Sequence, residues 1–530
     1  MPSIELKSID RLSSYDRILE NAGAFAKAGR LIDEKTIQMF ARHKINFVPT
    51  VKLTYEEKDV VGNDPKDIDN YFQNFIRNRE SGLEDIRNRL FEKLQSIYVP
   101  FSEKDSVFCE RGKKKQITEG ILLERNPEIL YQPDIQAGSE SIIRDNDIRF
   151  LREMLSKLFE YFNGFYARIE ENLEKKNILP KVGFHSVRLQ SHYEKDRLST
   201  MGNAVAWHAV DTVSYFMAAL INLNKKRNIE GKPLSDTRFD PDSKVEITDE
   251  VQYGQDLIVE AGLGILLHAI GYSHRKIHHI LSIRPLLSSE NPKDKNAIKT
   301  LQRHIYVSKN LMGDRSDISS IARMMVNRQK LYPDGTGFPP LNENRFIHEF
   351  VRMFQIVDFY DGMTNPIIEK VPYNRMDVIQ YMRENAGEYT YSKEHFVQCK
   401  RFDSNLLEEF LDVLSPYEIG EKLYLYPKNS RNSPLFIARV VTYKKSHIPL
   451  LAVLKDERTN KSYKFGSLLI HIPSGMAFTR KSGGKIMKKK LDWINNLEIF
   501  DHNINPGNIN EFYDVLYGNE RKLSRKVKQG

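Results

Sequence analysis

Cysteine is almost absent from this chain of 530 residues. The two cysteines, Cys109 and Cys399, lie far apart in the sequence and form no pair with metal-binding spacing. Stabilising disulfide frameworks and cysteine-based zinc sites both need several closely grouped cysteines. The sequence therefore predicts neither of them.

Long hydrophobic runs are also lacking. The sequence contains no run of about 18 apolar residues, the length that a membrane-spanning helix needs. Its N-terminal segment, MPSIELKSIDRLSSYDR, has no apolar stretch of signal-peptide length. With 40% apolar and 28% charged residues, the composition is typical of a soluble globular protein. We expect a cytoplasmic location and no integral membrane segment.

The sequence also lacks a strong excess of positive or negative charge. The 80 basic and 71 acidic residues give a net charge of +9, which is mild for this length. Much of the excess lies in short basic runs such as residues 488–490 and the tail RKLSRKVK, a pattern typical of solvated surface. Zinc-finger spacing and an RNA-binding aromatic signature are both missing, so nucleic acid is not a predicted partner.

Hydrophobic periodicity changes along the chain and predicts a mainly α protein with mixed ends. Within the helical part, residues 225–250 contain Pro and Gly without periodicity, which predicts a loop. The predicted parts are a mixed α/β, regulatory-like N-terminal region (1–140), connecting helices (141–195), a helical domain (196–390), a small β-rich extension (415–500) and a polar basic tail (501–530).

The segment YPDGTGFPP, residues 332–340, interrupts the helical part. Its glycines, prolines and Asp-Gly pair cannot continue a helix and predict a tight, preset loop. Two interpretations are open: the loop contributes to a binding site, or it simply connects two helices.

Three histidines and one aspartate lie in otherwise apolar helical stretches: His208, His268, His304 and Asp358. Imidazole and carboxylate groups are the ligands that a hydrolytic metal centre needs. A short-range pair such as HExxH is missing, so spacing alone leaves buried core histidines as the alternative.

The order of several motifs resembles the HD-GYP domain, the helical cyclic di-GMP phosphodiesterase branch of the HD superfamily. His208 matches the opening histidine, and LLHAIGY matches the site of the family's His-Asp-Ile-Gly-Lys. SIRPLL, HIYVSKNLM, DGTGFP and RMFQIVDFYDGMT follow in the family's order. The resemblance covers residues 196–390 and implies an HD-superfamily helical bundle.

Departures from the family pattern affect its metal ligands. Ala269 replaces the aspartate of the His-Asp doublet, and Tyr272 replaces the lysine that follows. Gln329, Lys330 and Leu331 stand where the family has His-His-Glu. The resemblance therefore implies that the second and third metal positions are lost, leaving no metal or one divalent ion (Mn, Fe or Mg) on His208, His268, His304 and Asp358. We expect hydrolysis to be absent or feeble.

Ligand binding could survive this loss of chemistry. A dianionic cyclic dinucleotide needs positive charge, and Arg or Lys can partly replace a metal facing a phosphate. The candidates are Arg284, Arg328, Lys330 and Arg352, together with the loop residues Asp334, Gly335, Gly337, Phe338 and Pro339. The four cations could equally be solvated surface residues.

Three hypotheses remain open on sequence alone. The first is a degenerate HD-GYP-like signalling protein that binds cyclic di-GMP or a protein partner. The second is a metal-dependent cyclic di-GMP phosphodiesterase with an altered site, and the third is a structural scaffold without a ligand. A homodimer is compatible with all three.

Overall fold

The computed structural model describes a large part of the chain with gaps between the segments. The described residues are 3–8, 12, 16–18, 32–42, 47–52, 82–98, 143–176, 197–230, 239–240, 245–246, 253–273, 277, 301–312, 315–334, 337–338, 347–364, 373–389, 400–417, 421–428, 432–443, 447–463, 467–472, 476–480 and 486–500.

The chain divides into two compact units. The first unit comprises residues 1–85, 164–183 and 411–503, and the second comprises 86–163, 184–410 and 504–530. The five predicted parts are not tested by this division and stay a prediction. The division itself groups residues 86–163 with residues 184–410, which include the predicted helical domain.

The N-terminal part of the first unit is a small α/β structure. Its elements are β1 (Ser3–Ser8), β2 (Arg17–Ile18), α1 (Glu34–Arg42) and β3 (Phe47–Lys52). The strands form an antiparallel sheet in the order β1-β3-β2. Its core contains Ile18, Ile32, Phe40 and Val48, and Asp33 starts α1 by accepting from the Thr36 backbone N–H at 2.6 Å. Helix and strands occur together here, within the region for which the sequence predicts a mixed α/β structure.

The second unit is mainly helical. The helices that lie wholly or mainly in it are, in chain order, α2 (Leu83–Tyr98), α3 (Asp145–Lys176), α4 (Arg197–Glu230), α5 (Gln255–Leu267), α6 (His304–Met312), α7 (Ser320–Arg328), α8 (Glu349–Thr364), α9 (Arg375–Glu384) and α10 (Ser404–Val413). The start of α2 and the ends of α3 and α10 belong to residues of the first unit. Three pairs of two-residue strands accompany them: β4 (Phe239–Asp240) with β5 (Val245–Glu246), β6 (Lys330–Leu331) with β7 (Gly337–Phe338), and β8 (Ala386–Gly387) with β9 (Phe402–Asp403).

Four helices enclose the core of the second unit. α4 contacts α5 and α8, and α7 contacts the same two helices, so the four form a closed ring. α5 and α8 are buried along most of their length, as their apolar sequences predict. A 3₁₀ turn (Ile270–Ser273) after α5 packs against α6. The candidate histidines and aspartate lie on this ring and on α6.

The predicted loop over residues 225–250 is wrong at its start. α4 continues to Glu230, because KKRNIE consists mainly of residues that a helix tolerates well, and the first glycine follows at position 231. Further along, β4 and β5 pair within the same segment.

The C-terminal part of the first unit is an antiparallel sheet. Its strands are β10 (Lys422–Pro427), β11 (Phe436–Tyr443), β12 (Pro449–Asp456), β13 (Lys461–Ser462), β14 (Leu468–His471), β15 (Met476–Arg480), β16 (Ile486–Lys490) and β17 (Leu497–Phe500). Their order is β16-β15-β14-β12-β11-β10-β17, with β13 paired to β12. All of these strands lie within residues 415–500, for which the sequence predicts a small β-rich extension. Among the described helices of the whole chain, none combines the length and hydrophobicity of a membrane span.

Candidate metal centre

Three side chains from three helical segments meet in the core of the second unit. His208 lies on α4, His268 directly follows α5, and Asp358 lies on α8. Each offers one ligand atom, and these atoms all lie within 4.8 Å of one another. The residues are 3%, 2% and 1% exposed. A histidine pair and a carboxylate shielded from water in this way form a candidate cation site.

The ring orientations of His268 and His304 follow from their own helices. His268 Nδ1 lies 2.5 Å from the Ile265 carbonyl oxygen, and His304 Nδ1 lies 2.6 Å from that of Leu301. A carbonyl oxygen only accepts, so each Nδ1 carries the proton and donates. In a neutral imidazole this tautomer leaves Nε2 with its lone pair available, the arrangement found in metal-binding histidines.

His208 is held by two carboxylates on α8. Its Nδ1 donates to Asp361 Oδ2 at 2.5 Å, and its Nε2 lies 3.1 Å from Asp358 Oδ1. Thr212 Oγ1, one turn along α4, lies 3.4 Å from the same Nδ1. A carboxylate on the outer nitrogen of a histidine fixes the ring and raises its basicity towards a metal.

The distances around Asp358 Oδ1 suit one small cation. His208 Nε2 lies 3.1 Å from this oxygen and His268 Nε2 lies 3.5 Å from it. A tetrahedral ion with ligand bonds of about 2.0–2.1 Å separates its ligand atoms by about 3.3–3.4 Å. In the tautomer that Ile265 imposes, His268 Nε2 and Asp358 Oδ1 are both electron donors, so a cation between them would satisfy both.

His304 lies outside this three-residue cluster. Its Nε2 is 3.3 Å from Gln329 Oε1, and the Tyr272 ring stacks on its ring with centroids 4.0 Å apart. The Gln329 amide nitrogen donates to the carbonyl oxygens of His268 and Val326, at 3.3 and 3.2 Å. His304 therefore faces an amide where the sequence predicted a metal.

Lys330 contacts the three-residue cluster through Asp358. Its Nζ forms an ion pair with Asp358 Oδ2, whereas the two imidazole Nε2 atoms contact Oδ1. The Lys330 side chain is 23% exposed, whereas Asp358 is almost completely buried. Asp358 thus divides its two oxygens between the imidazole pair and an ammonium group.

The predicted loop holds the backbone of Lys330. Residues 330–331 and 337–338 pair as the antiparallel strands β6 and β7. Gly337 has φ of +109°, and a Cβ at this position would lie 1.7 Å from the Lys330 carbonyl oxygen. Only glycine fits such a backbone and such a close approach. Asp334 is half-buried, the Phe338 backbone pairs with Lys330, and Gly335 and Pro339 lie outside the described residues.

The other predicted ligand-binding cations have different surroundings. Arg352 is buried, with Nη1 3.5 Å from Asp403 Oδ2 and its guanidinium 3.6 Å from the centroid of the Tyr389 ring. Arg328 is half-buried, and its carbonyl oxygen accepts from Gln355 Nε2 at 3.0 Å. Arg284 lies outside the described residues. A ligand role for these three arginines stays a prediction.

Three acidic residues are candidates from the sequence to replace the lost ligand: Glu194, Asp211 and Asp361. Glu194 lies outside the described residues, and packing separates the other two. Asp361 accepts from His208, whereas Asp211, one turn after His208 on α4, pairs with Arg87 of α2. Arg87 also lies over the Trp207 ring, 5.7 Å from its centroid. Neither carboxylate joins the three-residue cluster, and nothing in the sequence indicated Arg87.

Charge in the cluster follows from burial and from its partners. Burial disfavours a charge on His208, but hydrogen bonds to Asp358 and Asp361 outweigh it and raise the pKa of this imidazole to about 9. A metal ion bound at Nε2 would therefore have to displace a proton from this nitrogen. Burial also opposes ionisation of Asp358, yet Lys330 and the two histidines hold the pKa of its carboxyl well below the usual range. Asp358 is therefore an anion at neutral pH, as a metal ligand must be.

Burial keeps the other two histidines neutral. It lowers the pKa of His268, against the opposing hydrogen bond to Asp358, and it lowers the pKa of His304 to about 3. Each ring therefore has a single proton at neutral pH, on Nδ1. The same effect raises the pKa of Asp211 to about 7, although Arg87 acts in the opposite direction.

Comparisons of the chain with known proteins show a weak structural similarity and no sequence match. Neither a protein-family model nor a curated protein sequence matches the chain. A solved structure described as Bd1817, a HDG"Y"P protein from Bdellovibrio bacteriovorus, is similar with a TM-score of 0.31 and 12% identity. The match covers 77% of this chain and 98% of that one. A similarity of this degree carries no information about the site.

Proposed function

We propose that the second unit is a signalling receptor domain that binds a cyclic dinucleotide, in the first instance cyclic di-GMP, through one divalent cation. Hydrolysis of the ligand is absent or slow. The observation that carries the proposal is that Asp358 Oδ1 lies 3.1 Å from His208 Nε2 and 3.5 Å from His268 Nε2, close to the separation of neighbouring ligands on one small ion. The three ligand atoms all lie within 4.8 Å of one another.

The donor set favours a transition-metal ion. Two imidazole nitrogens and one carboxylate oxygen suit Mn²⁺ or Fe²⁺, whereas Mg²⁺ prefers an all-oxygen shell with several waters. Asp361 and the Ile265 carbonyl oxygen already orient the two rings, so little conformational freedom would be lost on binding. A cation bound here would act as a Lewis acid towards a phosphate oxygen.

At the position of a second metal, His304 Nε2 faces the neutral Gln329 Oε1 at 3.3 Å where the family has a charged ligand set. Ala269 offers no donor atom, and the Gln329 amide is occupied with the carbonyl oxygens of His268 and Val326. Two-metal hydrolases use both ions to stabilise the attacking and the leaving oxygen. With one ion, the leaving oxygen lacks that stabilisation, which is the physical reason to expect binding without efficient hydrolysis.

The choice of ligand rests on the resemblance of residues 196–390 to the HD-GYP domain. The geometry supports a phosphate ligand more generally, since a divalent cation bound by the two histidines and Asp358 would lie beside the ammonium of Lys330. A cyclic dinucleotide provides two phosphodiesters and two flat bases.

One observation also favours the alternative, a metal-dependent phosphodiesterase. His208, His268 and Asp358 keep a complete three-ligand set with oriented rings, as in zinc enzymes that use three protein ligands and a bound water. Binding and turnover must therefore be measured together.

Equilibrium dialysis against cyclic di-GMP with excess Mn²⁺ tests the proposal, with chromatography of both compartments afterwards. We expect intact ligand to be enriched on the protein side, and the enrichment to disappear with a chelator or with Asp358→Asn. Asp145→Asn is the matched control, because this carboxylate is 82% exposed and pairs with Arg315.

Each other outcome selects a different function. Linear product, absent with Asp358→Asn, would establish the phosphodiesterase. Neither enrichment nor product would favour a structural scaffold. Elemental analysis of the same samples should give about one Mn²⁺ per chain for the native protein and none for Asp358→Asn.

A further inference from the structure

We propose that Lys330 takes the place of a second metal ion in binding the phosphate, without supplying the Lewis acid that two-metal hydrolysis uses. Its ammonium group and the cation held by His208, His268 and Asp358 together form a two-cation phosphate site, which binds one phosphodiester of the ligand. The inference rests on the proposed function and adds to it which residue, besides the metal ligands, contacts the phosphate.

The sharing of Asp358 is the first observation. Its Oδ1 faces the two imidazole Nε2 atoms, and its Oδ2 forms the ion pair with Lys330 Nζ. Two-metal sites that bind phosphates hold their ions about 3.5–4 Å apart. A carboxylate that carries one cation on each oxygen produces a spacing of this kind, here between an ion and an ammonium group.

The loop is the second observation, because its geometry serves Lys330. Gly337 lies against the Lys330 carbonyl oxygen so closely that a Cβ would be 1.7 Å from that atom. The positive φ of Gly337 completes the hairpin that pairs Lys330 with Phe338. The unusual turn therefore fixes the backbone from which the lysine reaches Asp358.

Helix α8 is the third observation, since it fixes both halves of the arrangement. Gln355, one turn before Asp358, donates through Nε2 to the carbonyl oxygens of Arg328 and Leu331 on either side of Lys330. The same helix thus supplies Asp358 and holds the segment that carries the ammonium group. Such double anchoring gives a fixed distance between the two charges, as phosphate binding requires.

Exposure indicates the direction from which a phosphate would come. Asp358 and the two histidines are buried, while the Lys330 side chain is partly exposed. A lysine ammonium has three N–H donors and acts as a point charge for phosphate oxygens. The competing explanation is that Lys330 only neutralises Asp358, and the two explanations differ in their effect on ligand affinity once a metal is bound.

The test measures Mn²⁺ affinity and cyclic di-GMP affinity on the full chain at saturating Mn²⁺, where the metal compensates Asp358 in every variant. Lys330→Met should keep one Mn²⁺ per chain and lose at least about tenfold in dinucleotide affinity, the order of one charged hydrogen bond. Lys330→Arg should recover part of the affinity. Lys157→Met is the control, because this lysine is 43% exposed and pairs with Glu153, one turn away on α3.

Lys330→His provides an independent readout. An imidazole at this position should recruit a second metal, so that Mn²⁺ stoichiometry rises from about one to about two per chain. A stoichiometry that stays at one would contradict equivalence between the ammonium group and a metal ion.

The outcomes separate this inference from the proposed function. If the native protein binds Mn²⁺ and the dinucleotide, and Lys330→Met binds both equally well, the role of Lys330 is wrong and the proposed function stands. If the native protein binds no dinucleotide at saturating Mn²⁺, both are wrong.

Discussion

His208 Nδ1 donates a hydrogen bond of 2.5 Å to Asp361 Oδ2. Asp361 follows Asp358 by three residues on α8, so the two carboxylates share one face of that helix. One helix therefore contacts both nitrogens of the imidazole: Asp361 orients the ring from outside, and Asp358 faces the inner nitrogen. This relationship makes Asp361 a positioning residue for the candidate cation site.

Replacing Asp361 should weaken cation binding while leaving the three ligands in place. We expect Asp361→Ala to lower Mn²⁺ affinity about 10- to 100-fold, the usual cost of removing an outer partner of a metal-binding histidine. Asp361→Asn keeps an acceptor oxygen and should lose less. Mn²⁺ titrations followed by electron paramagnetic resonance measure this, with Asp145→Asn as control, and equal affinities throughout would rule out the positioning role.

Stability in the presence of a chelator should fall at alkaline pH because of His208. The pKa of this imidazole is raised from 6.5 to about 9, so its stabilising contribution is complete below about pH 6.5. The contribution is then lost as the pH rises through about 9. Since each unit of pKa shift corresponds to about 1.4 kcal/mol, the loss in the free energy of unfolding should be a few kcal/mol. Urea unfolding between pH 6 and 10 measures the slope, which should be much smaller for His208→Gln. A parallel pH dependence in both proteins would assign the loss to other groups.

The buried pair of Arg87 and Asp211 should show strong coupling in a double-mutant cycle. Both side chains are about 5% exposed, so Arg87→Met leaves a buried carboxylate without its cation. Removing one partner of such a pair costs about 3–5 kcal/mol, whereas replacing both by apolar residues is often nearly neutral. The free energy of unfolding should therefore fall in Arg87→Met and largely recover in Arg87→Met/Asp211→Leu. Additive losses would mean that the ion pair contributes little to folding.

Two glycines should respond to alanine in opposite directions. A Cβ on Gly271 would lie 1.9 Å from the His304 carbonyl oxygen at the start of α6, so backbone must move, and we expect a loss of at least about 2 kcal/mol. A Cβ on Gly362, in α8, has no atom within 4 Å. There alanine should stabilise by about 0.5–1 kcal/mol, because it loses less conformational entropy in a helix than glycine does. Thermal unfolding of both variants measures the contrast, and similar effects would show that the 3₁₀ turn after α5 can shift freely.

Local patterns predicted much of the fold. The spacing of apolar residues located α3 and the ring helices, and the runs of β-branched and aromatic residues located β10, β11 and β12. These patterns succeed because a helix or strand has to bury one face, and that requirement is written in consecutive residues. The end of α4 was missed because its last turn is polar, and polarity does not distinguish an exposed helix end from a loop.

The sequence predicted which residues could form the candidate site, but it did not predict which of them contact one another. The sequence indicated His208, His268, His304 and Asp358, and the structure brings three of them together. It places His304 against Gln329, because the amide of Gln329 is held by two carbonyl oxygens. Sequence spacing does not report such contacts between separate helices.

Asp211 and Asp361 show where the information in the sequence ends. Each is spaced three residues from a candidate ligand, His208 or Asp358, so the sequence alone determines that both carboxylates lie near the candidate site. Only the packing of α2 and α8 against α4 decides that Arg87 pairs with Asp211 and that His208 donates to Asp361. The physical reason is that a helix fixes which residues share its face, whereas the partner of that face is chosen by contacts between distant segments.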